Sequence, residues 1–255
     1  MSKTIFTKIG PLIGIILFAV ALWALHHVLG GYHYHDVMRD LGTLPASRII
    51  FAIILTILGY TVMTGYDLLA MRYIRYPLTY GRVALASFIS YAFSNNIGLS
   101  VLSAGAVRYR LYSSWGLSAE KVASLMTFCL VTFWLGFFAL SGAVLLLVDV
   151  QVPQIFRLPF ASPRLLGGPF LTLAGGYLLW DILRKEPIRW RGWEFPLPSF
   201  SLSLGQVLVS SLDWALAAGV LYVLLPLSPD IHFSRFLAIY LVAQFAGLVS
   251  NVPGG

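Results

Sequence analysis

The chain has 255 residues, 58% of them hydrophobic and only 11% charged, with a net charge of +7. A soluble domain carries about a quarter of its residues as charges, so this composition excludes an ordinary soluble enzyme and points to an all-α, polytopic integral membrane protein. Outside the short loops no basic run is interleaved with aromatics, which argues against nucleic acid and for topology-setting side chains near anionic head groups.

About 20 apolar residues cross the hydrocarbon core, and the chain offers seven such runs in order. The run after Lys3 and Lys8 is longer than a signal-peptide core and reads as a first span, Ile9–Leu29, with the N-terminus in the cytoplasm. Next comes "ALHHVLGGYHYHD", with His26, His27, His33 and His35. Adjacent histidines point to different sides of a helix, so these read as interfacial side chains and no metal or other cofactor is expected. The further candidates are Arg48–Leu69, Val83–Ser103, Val122–Val148, Leu165–Leu183, Leu202–Leu225 and Phe236–Val249. Cys129, the single cysteine, excludes disulfides and cysteine metal sites within the chain. A final helix running into "NVPGG" suggests that the chain continues beyond Gly255 in its natural form.

Loop charges test this count. If all seven runs cross, eight Lys and Arg lie inside and nine outside, against the positive-inside tendency. If the third run instead enters and returns to its own side, twelve lie inside and five outside. The composition of that run agrees. Asn95, Asn96, Gly98, Ser100, Ser103, Ala104, Gly105 and Ala106 suit a broken helix whose freed backbone groups are satisfied within protein or a wet cavity. The expected architecture is therefore about six spanning helices with one or two re-entrant or broken segments. The echo of "FSNNIG" in "VSNVPGG" hints at an inverted repeat of the kind transporters use.

Ionisable groups within spans cost roughly 2.5–3.5 kcal/mol each on insertion scales and need a partner or a task. Asp67 reads either as an interfacial acid paired with Arg72 or Arg75, or as a partner of Arg108, Arg110 or a cationic head group. Arg108 and Arg110 read as cytoplasmic anchors, or, for Arg108, as a bidentate ligand of a lipid phosphate. Asp213 lies near the middle of its span, as a structural acid bonded to Ser210, Ser211 or Trp214 or as part of a substrate path. Gln244 and Asn251 read as helix–helix hydrogen bonds. No catalytic triad, phosphate-cradling loop or paired catalytic carboxylates can be made out, so no enzyme shows in this region.

The segments "GYDLLAMRY", "SFISYAFSNNIG", "SAGAVRYRLYSSWGLS" and "VSNVPGG" resemble the transmembrane region of the lysylphosphatidylglycerol synthetase/flippase family, also called multiple peptide resistance factor, and of its stand-alone membrane relatives. The resemblance covers most of the chain, from about Tyr60 to Gly255. It implies that residues 1–255 are a flippase domain moving aminoacylated phosphatidylglycerol from the inner to the outer leaflet of a bacterial cytoplasmic membrane, giving resistance to cationic antimicrobial peptides. It further implies that a synthetase domain using aminoacyl-tRNA would follow in the full-length lysyltransferase, and it allows a homodimer. By the same resemblance Asp67 and Arg108, and Asp213 at a weaker local match, are substrate-binding residues; Asn95, Asn96, Arg110 and Asn251 join them as candidates from their places at the interrupted segments. The competing expectations are a membrane scaffold for the aminoacyltransferase, or a stand-alone transporter of another anionic or polyprenyl lipid.

Overall fold

The structure, a computed structural model, describes residues 42, 44–97, 100–148, 164–183, 188–190, 193–195, 197–226 and 231–250. The expected first span, the histidine cluster, Asn251 and the Pro-Gly-Gly element lie outside them. The described helices are α1 (Ala46–Tyr73), α2 (Tyr80–Ile97), α3 (Ser100–Ser114), α4 (Ala119–Leu147), α5 (Arg164–Leu183), α6 (Phe200–Leu224) and α7 (Phe233–Ser250). Four of them, α1, α4, α5 and α6, are long and apolar enough to cross a membrane, and α7 holds a shorter apolar run. The chain is a multi-pass, all-α membrane protein. One local departure is a two-strand hairpin between α5 and α6, pairing Ile188–Trp190 with Trp193–Phe195.

The third apolar run is divided between two helices, but of the residues expected to form its turn Asn95 and Asn96 end the first helix and Ser100, Ser103, Ala104, Gly105 and Ala106 lie within the second. Instead of one span it makes α2 and α3, which pack on each other on either side of residues 98–99. Cross-contacts show that they form a hairpin. The Arg108 guanidinium lies 4.7 Å from the Tyr91 ring, and the Arg82 guanidinium, at the start of α2, lies 5.8 Å from the ring of Trp115, just past α3. The Tyr76 hydroxyl also donates to the Trp115 carbonyl (3.0 Å). The chain thus leaves the hairpin at the end of the bundle where it entered, as the charge balance required.

The other contacts extend this alternation. Gly65 and Gly205 of α1 and α6 face Val209 and Leu69, so these helices run antiparallel. Gln206 donates to Thr132, and Ser211 donates to the Gly136 carbonyl, so α4 and α6 run parallel. One end of the bundle, here the near end, therefore holds the end of α1, both ends of the hairpin and the starts of α4 and α6. Among the described residues Arg72, Arg75, Arg82, Arg110 and Lys121 gather toward it, while Arg48, Arg164 and Arg235 lie toward the far end.

Local chemistry explains the boundaries. Helix α4 starts at Ser118, whose extended backbone and side-chain oxygen cap the Lys121 amide, with Glu120 in the first turn. Its Gly136 lets α6 approach closely. A Cβ there would collide with Ser210 and come within 2.6 Å of the Ser211 amide nitrogen. Small residues serve this purpose in membranes, where close packing replaces the hydrophobic drive between helices. The outer surface stays apolar, with Ile50, Phe51, Ile54 and Ile57 of α1 and Leu208 and Leu212 of α6 exposed toward lipid.

Two buried clusters form the core. One joins α1–α4 through Tyr66, Met71, Tyr112 and Phe128; the other joins α4–α7 through Phe137, Phe170, Trp214 and Leu241. Phe133 packs against both. The polar groups of interest sit where the clusters meet.

Candidate functional site

Asp67 lies one and a half turns before the end of α1 and is completely buried. Arg108, on α3 beyond the break, reaches it with two parallel hydrogen bonds, Nε to Oδ1 at 3.0 Å and Nη2 to Oδ2 at 2.8 Å. The Tyr112 hydroxyl adds a third to Oδ1 at 2.8 Å. Tyr112 is one turn after Arg108, so both project from the same face of α3. The Tyr91 ring covers the guanidinium from α2, a cation–π contact that partly replaces lost hydration.

The neighbouring residue in α1 points elsewhere. Tyr66 lies about 100° around the helix from Asp67 and donates its hydroxyl to Asp213 Oδ2 of α6 at 2.9 Å. Its ring meets Tyr91 edge-on, with centroids 5.9 Å apart. The Tyr-Asp pair therefore joins two intramembrane acids from two helices into one network of Asp67, Arg108, Tyr112, Tyr91, Tyr66 and Asp213. It contains one guanidinium and two carboxylates: Arg108 bonds Asp67, and Asp213 joins through Tyr66.

This geometry decides between the sequence alternatives. Asp67 pairs with Arg108, not with Arg72 or Arg75. Arg110, two residues on, is exposed and does not share the site. Asp213 is held by Tyr66; the expected partners Ser210 and Trp214 donate to the Phe133 carbonyl, and Ser211 donates to that of Gly136. Those side chains bind α4 to α6 and do not hold the acid. Asn95 and Asn96 occupy the last turn of α2, next to the break; their side chains lie outside the description.

Relatives make the setting clear. The chain is 39% identical over 97% of its length to protein slr0712 of Synechocystis sp., covering 77% of that protein. It is 32% identical over 87% of its length to inner membrane protein YbhN of Escherichia coli, covering 69% of it. At 23% identity the whole chain aligns with a phosphatidylglycerol lysyltransferase of Staphylococcus aureus, and spans 30% of that protein. The chain belongs to the lysylphosphatidylglycerol synthetase/flippase family. No protein-family model matches it.

Within this family member the structure adds residues that sequence reasoning missed. The tyrosines 66, 91 and 112 are one group; Tyr112 was within reach as the residue one turn beyond Arg108. A second group lies nearer the near end. Ser203 donates to Asp181 of α5, the Tyr177 hydroxyl donates to Gln206 Oε1 at 3.1 Å, and Gln206 Nε2 donates to Thr132 Oγ1 at 2.8 Å. With Ser210 and Asp213 these make a buried polar stripe along one face of α6, at intervals of three and four residues.

Proposed function

We propose that this chain translocates aminoacylated phosphatidylglycerol, with lysyl-phosphatidylglycerol as cargo, from the inner to the outer leaflet of a bacterial cytoplasmic membrane, its near end facing the cytoplasm. The observation that carries the reading is the buried Asp67–Arg108 pair beside Asp213. One base and two acids complement a head group with one phosphate and two amines. In the structure the guanidinium is held by Asp67 in the bidentate geometry that a phosphate also takes. An arriving phosphate exchanges with Asp67, and the released carboxylate and Asp213 then face the ammonium groups. The acyl chains stay in lipid while the head moves past the break in the hairpin. The alignment of the whole chain with a phosphatidylglycerol lysyltransferase supports this cargo, and the basic near end supports the orientation. In the cell the product is a less negative outer leaflet and resistance to cationic antimicrobial peptides.

One observation favours a second reading. Asp67 is fully buried and bonded to both Arg108 and Tyr112, so the pair also serves as a clamp holding the hairpin on α1 in a membrane scaffold. Reconstituted liposomes separate the two. Labelled lysyl-phosphatidylglycerol is placed in one leaflet and its movement followed for the wild type, for Arg108→Ala, and for the charge-free double variant Asp67→Asn/Arg108→Gln. Translocation predicts that both variants fall to the rate of protein-free vesicles. No movement in any of the three proteins, despite correct insertion, favours the scaffold; a correctly inserted double variant that still moves lipid would overturn the pair as the head-group site.

A further inference from the structure

Helix α1 ends in a way that its residue types do not favour. The Tyr76 amide donates to the Met71 carbonyl at 3.1 Å and the Arg75 amide to that of Arg72 at 3.2 Å. This paired closure places the residue just after the cap in the left-handed region, where glycine is usual because a Cβ crowds the neighbouring carbonyl. Here the position is Arg75, at φ 50°, which is the one non-glycine residue with positive φ among the described residues. Compensation of the helix dipole does not require it, since Arg72 already supplies a cation in the last turn. A strained position that keeps a long cationic side chain suggests a task for that side chain.

The surroundings indicate the task. Arg75 and Arg72 border a shallow, open cleft of about 380 Å³ between the end of α1 and the start of α2, lined also by Leu68, Met71, Leu78 and Val83. Its volume is in the range of small-ligand sites. No acidic residue lines it, and both arginines are exposed. Two guanidiniums above an apolar wall, at the level where a spanning helix meets water, complement a phosphodiester anion that carries acyl chains. We infer that this cleft is a docking site for the head group of an anionic phospholipid, separate from Arg108 and adjoining it through Leu68, the neighbour of Asp67. As a loading point for transport the site rests on the translocation reading; as a binding site it does not.

The test is binding to the purified full chain in mixed micelles of equal phosphatidylglycerol and phosphatidylcholine, with retained lipid counted by native mass spectrometry and thermal unfolding measured in parallel. Arg75→Gly removes the guanidinium and the strain together. It is expected to raise the unfolding temperature while lowering phosphatidylglycerol retention about tenfold, the effect of losing one contact of about 1.4 kcal/mol. Arg75→Lys should keep most of the retention, and Arg72→Gln/Arg75→Gln should abolish the preference over phosphatidylcholine. Unchanged retention in a stabilised Arg75→Gly protein would overturn the site and leave Arg75 a topology anchor. Displacement of the lipid by millimolar glycerol phosphate would overturn its assignment to a lipid in favour of a soluble anion. Retention without any movement of lipid in liposomes would count against translocation while upholding this site.

Discussion

Asp67 and Arg108 are 41 residues apart in the chain and meet with almost no access to water. Burying such a pair is worthwhile only if its geometry is good and its remaining lone pairs are satisfied, because each ion gives up its hydration. The parallel bonds, the Tyr112 hydroxyl and the Tyr91 ring meet that condition. Breaking one partner should therefore be costly. Tyr112→Phe removes only the hydroxyl bond to Asp67, a charge-assisted contact worth about 1.5–3 kcal/mol. Denaturation of this variant in micelles should show a loss of that size, with exposed Tyr109→Phe as an unchanged control. A melting curve for Tyr112→Phe superimposed on the wild type would mean that the hydroxyl does not support the pair. At this scale the sequence drew attention to the charges that join this network, since Asp67, Arg108 and Asp213 are conspicuous in apolar surroundings. It did not indicate the tyrosines, which look like any other aromatic in a chain rich in them.

At the scale of elements, two features shape the site: the division of one apolar run into α2, ending at Ile97, and α3, starting at Ser100, which pack as a hairpin, and the close approach of α4 and α6. The first was legible because asparagines and small residues interrupt an apolar run only where backbone groups find other partners. The second was not, since Gly136 is one of 23 glycines and only its neighbour in space distinguishes it. Gly136→Ala should force α4 and α6 apart and cost about 1–3 kcal/mol, the usual penalty of overpacking. Gly175→Ala, where nothing lies within 4 Å of the new Cβ, should be neutral or slightly stabilising in the same thermal assay. Equal stability of the two variants would contradict the α4–α6 contact. The strand hairpin after α5 went unnoticed because two three-residue strands carry too little pattern to stand out between long apolar runs.

For the molecule as a whole, the hairpin sets the direction of every later helix. Single cysteines at Tyr80 and Glu120 should both react with an impermeant thiol reagent from one side of sealed vesicles, and cysteines at Arg48 and Arg235 from the other; buried Cys129 should contribute little. Labelling of positions 80 and 120 from opposite sides would mean that the α2–α3 unit crosses the membrane once.

The sequence by itself determined the membrane class, the approximate spans and the returning third segment. These follow from local length, composition and loop charge, because a bilayer demands about 20 apolar residues and internally satisfied backbone from each spanning helix on its own. Tertiary structure alone decided which acid meets which base, which tyrosines hold them, and that Arg75 stands strained above a cleft. In lipid the outside of a helix is as apolar as its packed face, so no amphipathic stripe shows which side of α1 or α6 turns inward. Contacts such as Tyr66 to Asp213, 147 residues apart, depend on the rotation of each helix about its axis, which only the packed bundle sets.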